Sequence, residues 1–287
     1  MSDSHPLRAL LRHSRFRNAL CGLTLGLALA APAEAASLGE LWRQVAGNPG
    51  HGAPCLRPAA AVAAEGVPLR LPAGPCAAQA VSGLYLGVLR DRERLESLRA
   101  AIVRQRDLMA AVQRRLRGDG ASGELLLAEL ELNRWQAEET RLIAGLLHAE
   151  LFFATVMGSD PSEMIQPRFA PSAWPAGEAE ALALLAQQEE VPEDLAPELR
   201  VLLQHAWIDY EGARRELALL ESMTAFAEDL AKTAREGFAG GETTLAWVQE
   251  RYRDTGALQD AQIIAEYRLT AVQLQILEII GRQSAIE

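Results

Sequence analysis

Aromatic residues and lysine are scarce in this chain of 287 residues. Aromatics make up 5% of the sequence, whereas alanine and leucine dominate an apolar share of 49%. Because strands favour β-branched and aromatic side chains and helices favour alanine and leucine, this composition predicts a helical protein. Lys232 is the only lysine, and the formal net charge is -10. Such a chain lacks the cationic face that phosphate binding needs, so we expect no nucleic-acid partner.

Motifs that are typical of catalytic sites are also missing. The sequence contains no nucleophile elbow, phosphate-binding glycine loop, H-E-x-x-H pair or paired C-x-x-C motif. The histidines beyond the N-terminal segment lie far apart, at His51, His148 and His205. Acid pairs such as Glu138-Glu139 are typical of solvated helix faces. We therefore expect no enzymatic activity, no cofactor and no catalytic metal.

Long apolar runs are absent, and one short run lies near the N-terminus. Four arginines occur within residues 1–18, residues 19–31 are apolar, and an A-x-A sequence ends at Ala35. The apolar run is too short to span a membrane as a helix. A basic start, an apolar core and an A-x-A site are together typical of a secretory signal peptide. We predict that residues 1–36 are removed on export; the alternative is a buried N-terminal helix.

Only two cysteines follow the predicted signal peptide, Cys55 and Cys76. Residues 37–78 are predicted to form a short helix and then a loop, since residues 48–78 hold six prolines and four glycines. In an exported protein, two cysteines in such a loop favour one disulfide. The alternative is a metal site that also uses His51, four residues before Cys55.

Two long proline-free segments predict a first helical hairpin over residues 79–158. Glycines within 118–123 separate a helix at 79–117 from a second helix at 124–157, which a Gly-x-x-Pro sequence ends. At 1.5 Å per residue, the first helix would be ~58 Å long. Apolar residues spaced seven apart in it are typical of a coiled-coil-like seam. They are Val88, Leu95, Ile102, Met109 and Leu116.

A proline-rich connector, residues 159–197, separates this hairpin from a second one over residues 198–282, and residues 283–287 form a tail. The connector includes a short predicted helix between Pro175 and Pro192. The first helix of the second hairpin has two seven-residue rows, and the second row consists mostly of alanine, which allows close helix approach. That row is Ala206, Ala213, Leu220, Ala227 and Ala234.

The two hairpins repeat at an offset of 123 residues. Leu146 then aligns with Leu269, and the helix stop at Gly158 aligns with the stop at Gly281. Both second helices also follow a glycine-rich turn that carries small hydroxyl residues. An internal repeat of this kind is informative about architecture. The predicted fold is all-α, with two tandem long antiparallel helical hairpins that are coiled-coil-like and elongated.

Six segments, in this order, resemble the outer-membrane efflux proteins of the TolC family. In each of that family's two repeats, a helix runs to a G-x-x-S/T-x-x-(L/V) turn and a second helix returns to an L-x-x-x-x-G stop. The matching segments cover most of residues 38–282. They are LGELWRQVAGNP at 38–49, GASGELLLAELEL at 120–132, FFATVMGSDP at 152–161, PEL at 197–199, GGETTLAWVQERYRD at 240–254 and AVQLQILEIIGR at 271–282.

The resemblance implies a role in an envelope efflux system. Family members are trimers whose helices form a periplasmic tunnel and whose strands form an outer-membrane barrel. They join inner-membrane pumps through a periplasmic adaptor. For this chain the resemblance implies that an adaptor docks at the two inter-helix turns. The candidate docking residues are Gly120, Ser122, Gly123, Gly241, Thr243 and Thr244.

The sequence departs from the family in one respect, because no segment has the alternation of ~9–11 residues that a membrane strand needs. The chain is predicted to run from Pro197 to the turn at 237–241 as one helix. We therefore expect a periplasmic, outer-membrane-associated scaffold or tunnel element without direct membrane insertion. The alternative is a stand-alone periplasmic coiled-coil adaptor or chaperone-like binding protein. A trimeric ring favours the first function and a stable monomer the second.

Overall fold

The computed structural model describes residues 37–38, 41, 76–116, 122–157, 160–167, 169, 174–188 and 196–282. All of them belong to the compact unit Ala35–Glu287. Several predictions concern positions outside the described residues and stay predictions. These positions are the signal peptide at 1–36, His51, Cys55, Gly120 and the tail at 283–287.

Five α-helices account for most of the described residues. In chain order they are α1 (Cys76–Leu116), α2 (Ser122–Met157), α3 (Glu178–Ala186), α4 (Ala196–Gly240) and α5 (Leu245–Ile279), with a 3-10 turn at Pro161–Glu163. The described ranges contain no β-strand, which confirms the predicted all-α, elongated fold. At 1.5 Å per residue, the 45 residues of α4 extend over ~68 Å. None of the helices described is both long and apolar enough to cross a membrane.

The main contacts among the four long helices run in the order α2, α1, α5, α4, an arrangement called here the helical layer, and α2 also contacts α5 directly near the tip. Helix α1 packs along α2, α4 packs along α5, and the two hairpins meet where α1 packs along α5. Neighbouring helices run antiparallel, as ion pairs between them show: Arg92 with Glu150, Arg94 with Asp260, and Arg268 with Glu216. Helices α2 and α4 are therefore the outer helices, and each has a side that no other long helix of the described chain covers.

The connector closes one end of this layer, called here the base. The hydroxyl of Tyr85 on α1 donates a hydrogen bond to the carbonyl of Ile165 in the connector, at 2.6 Å. Apolar side chains from all four long helices pack together at the base, and burial of such side chains is the main stabilising contribution to a fold. This base core includes Leu41, Tyr85, Phe153, Leu203 and Leu274.

The opposite end of the layer, called the tip, has a second apolar core and carries both inter-helix turns. The guanidinium of Arg115, near the end of α1, lies 5.0 Å from the ring centroid of Phe238, near the end of α4. This cation–π contact brings the end of α1 beside the end of α4. The tip core includes Leu108, Val112, Ala234, Phe238 and Leu245.

Alanine lines the side of α4 that faces α5. The hydroxyl of Thr255 on α5 donates a hydrogen bond to the carbonyl of Ala227 at 3.2 Å, a contact that needs closely spaced backbones. Small side chains permit this spacing. The four alanines of the predicted alanine row are all buried: Ala206, Ala213, Ala227 and Ala234.

Candidate turns and exposed edges

The turn between α4 and α5 depends on two glycines. Gly241 has a φ of 81°, a left-handed conformation that side chains with a Cβ rarely adopt. A Cβ added to Gly237 would lie 2.8 Å from Cγ2 of Thr243, so a larger residue would displace that side chain. The amide of Glu242 donates a hydrogen bond to the carbonyl of Gly237 at 2.8 Å. Local backbone geometry therefore explains the glycines of this turn.

The two threonines of the same turn bond within the chain. The hydroxyl of Thr243 donates to the carbonyl of Ala234 at 3.0 Å, and the hydroxyl of Thr244 accepts from the amide of Trp247 at 3.3 Å. Thr244 is the N-cap of α5, so the helix begins at Leu245. The surface that this turn leaves to a partner includes its exposed residues Gly240, Gly241, Glu242 and Thr244.

The first turn is described only in part. Ser122 begins α2, and Gly123 is exposed, with open space around the position of an added Cβ. Glu124 lies in the first turn of α2, where a carboxylate complements the positive end of the helix dipole. The proposed docking role of both turns remains a prediction.

Cys55, Cys76 and His51 are the residues of the predicted disulfide and of the alternative metal site. Of these three, only Cys76, the first residue of α1, lies among the described residues. Within the described ranges, no group of three His, Cys, Asp or Glu residues could hold a metal ion. The disulfide between Cys55 and Cys76 stays a prediction.

Large exposed apolar side chains concentrate on the two outer helices. Ten of the fourteen such residues among those described lie on α2 or α4, although each of these helices also has a buried side. Contiguous apolar patches on a protein surface mark interaction sites. We call the α4 set the α4 edge: Val201, Ile208, Leu219, Met223 and Phe226. The α2 set is the α2 edge: Leu126, Leu127, Leu130, Leu147 and Leu151.

The α4 edge follows one line along its helix. The spacings between its five members are 7, 11, 4 and 3 residues, which bring all five to one side of a helix with 3.6 residues per turn. Leu219 and Phe226 are 65% and 66% exposed. The buried alanine row lies on another side of the same helix, so α4 has two separate faces suited to packing.

The internal repeat relates the α2 edge to a side of α5 that contacts the first hairpin. At the 123-residue offset, Leu126, Leu130 and Ala137 correspond to Gln249, Arg253 and Asp260. Those three α5 residues bond to the first hairpin, at the carbonyl of Leu127 and the side chains of Glu131 and Arg94. The exposed side of α2 is thus the repeat equivalent of a side of α5 that packs against a neighbouring hairpin.

The helical layer is similar to a solved structure described as "Structural insights of the outer-membrane channel OprN". The two chains are 17% identical, and the match covers 70% of this chain with a TM-score of 0.53. The described helices adopt a distant TolC-like fold. The match covers 65% of the channel chain, so it does not extend over that protein's whole length. No protein-family model matches the sequence, and no curated protein matches it.

Proposed function

We propose that this chain is a helical tunnel element of an envelope efflux system, exported to the periplasm and associated with the outer membrane. The observation that supports this function best is the presence of an apolar edge on each outer helix of a TolC-like layer. Copies of the chain that pair the α4 edge with the α2 edge of the next copy would form a ring.

The contact between copies would join the repeat equivalents of two helices that meet within the chain. Helix α4 is the repeat equivalent of α1, and α2 is the equivalent of α5. Helix α1 packs along α5 in one chain, and we propose that α4 packs along α2 of the next chain through another side, since the α1 equivalents of Leu219, Met223 and Phe226 are Glu96, Ala100 and Val103, which are exposed. A contact between two different surfaces closes a ring when its rotation permits. We propose three copies, as in the family that the sequence resembles.

Function in this assembly rests on shape and surface, and it includes no catalytic step. The heptad seams hold antiparallel helices side by side, and the ring would enclose a passage. Both inter-helix turns of every copy would lie at the same end, where we propose that a periplasmic adaptor, joined to an inner-membrane pump, makes contact.

The assembly test changes the α4 edge and measures the molar mass of the purified mature chain by size-exclusion chromatography with light scattering. We expect a trimer for the unchanged chain and a monomer for the double variant Leu219→Glu, Phe226→Glu. Burying each of these side chains contributes about 1.5–3 kcal/mol, and a buried unpaired carboxylate opposes association.

A control variant, Ile264→Glu, introduces the same charge on the inner helix α5, where the residue is 41% exposed. It should remain a trimer. A mature chain that stays monomeric without any change would contradict the tunnel function and favour the stand-alone adaptor or chaperone-like function. Equal molar masses for all three proteins would contradict the role of the α4 edge.

A further inference from the structure

A cavity of about 540 Å³ lies between α1, α2 and α5, on one side of the helical layer. Its volume falls within the range of small-molecule sites, which is roughly 300–1,000 Å³. It is separate from the inter-helix turns and from the α4 edge. All of its lining residues lie in helices that the structure describes.

One wall of the cavity is an indole ring that a glycine accommodates. A Cβ added to Gly256 on α5 would lie 2.7 Å from Cη2 of Trp135 on α2, so only glycine lets the ring approach α5 this closely. Nearer the tip, Arg253 of α5 bonds to Glu131 of α2 at 3.0 Å and holds the two helices together. The cavity lies beside Trp135, with α2, α5 and α1 as its walls.

The cavity combines apolar walls with several arginines. Trp135 on α2, Leu98 and Ala101 on α1, Leu142 on α2 and Ala257 on α5 offer surfaces suited to a flat ring. Four guanidinium groups and three carboxylates surround these walls. Cationic groups thus exceed acidic ones here, although the whole chain has a formal net charge of -10.

The arginines differ in how firmly neighbouring acids hold them. Arg94 makes two bonds to the carboxylate of Asp260, at 2.6 and 3.1 Å. Arg141 pairs with Glu138 at 2.9 Å, but both side chains are more than half exposed, so this pair is weak. Arg134 is exposed and forms no ion pair with the described residues.

Arg134 and Arg141 are therefore the two guanidinium groups that can accept a new anion. They lie seven residues apart, which places them on the same side of α2. Arginine is well suited to this task because its planar fork matches the geometry of a carboxylate. Asp260 and Glu131 already have arginine partners, so these carboxylates are less available to bind a cationic ligand.

We propose that this cavity binds a small aromatic carboxylate, with its ring against Trp135 and its carboxylate at Arg134 and Arg141. All residues of the site belong to one chain, and Arg134, Ala137 and Arg141 share the exposed side of α2 that the proposed ring would bring against the next copy. A planar apolar body and a single negative charge are the two properties that the walls and the arginines select.

The test is calorimetric titration of the mature chain with 2-naphthoate, compared with the neutral probe 2-naphthalenemethanol. We expect one 2-naphthoate to bind per chain and the neutral probe to bind at least about tenfold more weakly. Arg134→Gln should weaken 2-naphthoate binding about tenfold, since hydrogen bonds to charged groups contribute that much. Ala257→Phe should abolish it by filling the cavity from an exposed position on α5.

Arg106→Gln is the matched control, because Arg106 is exposed on α1, outside the cavity, and the change removes the same charge. It should bind 2-naphthoate as the unchanged chain does. Circular dichroism of each variant confirms that the helices are intact. The proposal is wrong if 2-naphthoate fails to bind, if the neutral probe binds equally well, or if Arg134→Gln and Ala257→Phe bind it unchanged.

Discussion

The glycines of this chain affect its stability in opposite ways at different positions. At Gly241 the backbone is left-handed, so the missing Cβ is a requirement of the turn. At Gly145, inside α2, an added Cβ would meet no atom within 4 Å, and the glycine only leaves the unfolded chain more freedom. The sequence alone does not distinguish these two glycines, because the difference lies in the local backbone conformation.

Alanine substitutions at these two positions should therefore change stability in opposite directions. We expect Gly241→Ala to lower the free energy of unfolding by about 1–2 kcal/mol, which is the cost of a left-handed residue that carries a Cβ. Gly145→Ala should raise it by about 0.5–1 kcal/mol. Urea unfolding followed by circular dichroism, at one protein concentration, measures both. A loss of stability in Gly145→Ala would contradict this account.

Threonine at the tip shows how far sequence reasoning reaches for single residues. The resemblance implies that Thr243 and Thr244 are docking residues, which stays a prediction, and in the structure their hydroxyls bond to Ala234 and Trp247 within the chain. A threonine just before a helix is a common N-cap, so the role of Thr244 was available from its position. The hydrogen bond from Thr243 could not be predicted from its position, because the bond depends on how the turn folds back onto α4.

At the scale of helices, the contact between α1 and α5 joins the two hairpins. Arg94 is about one quarter exposed and Asp260 about two fifths. The hydrogen bond from Arg94 to Asp260 is the largest of the causes that raise the pKa of the guanidinium. Two parallel bonds between the same two groups are stronger than a single contact between exposed charges.

A double-mutant cycle with Arg94→Gln and Asp260→Asn should give a coupling free energy of about 1 kcal/mol in urea unfolding. The pair Arg214 and Glu211 within α4 is the control, since its arginine is 58% exposed. We expect only about 0.3 kcal/mol for that pair. Equal coupling in both cycles would show that the contact between hairpins contributes no more than a surface pair.

The helices themselves were largely predictable, but their outer sides were not. Proline-free segments, glycine turns and heptad spacing indicate long helices, and the alanine row correctly marks the side of α4 that is buried. A heptad seam accounts for one packing side per helix. Leu219, Met223 and Phe226 lie on another side, and their spacing of four and three residues, which follows the helical period, was the signal that the seam did not include.

The cavity could not be predicted from the sequence, for a different reason. Trp135 lies on α2 and Gly256 on α5, and the two meet only in the packed chain. Neither residue belongs to a recognisable motif, and their meeting depends on how two hairpins pack.

At the scale of the whole molecule, the proposed docking surface is the tip, and Glu242 is its exposed charged residue. A photo-crosslinking amino acid at position 242, introduced in cells that also produce a tagged periplasmic adaptor, should form an adduct with that adaptor. The same amino acid at exposed position 221, in the middle of α4, is the control and should not. Adducts of equal yield at both positions, or adducts with further copies of this chain alone, would contradict docking at the tip.

The repeat offset that relates α2 to α5 has a consequence for symmetry. In a ring of three copies, six hairpins would alternate around the passage with nearly equal spacing. Their side chains would differ, however, since the position equivalent to Arg134 in the second hairpin is Ala257. The helices around the passage would then have approximate sixfold symmetry, but their side chains would have only threefold symmetry. Clefts lined by arginine would alternate with clefts that lack that charge.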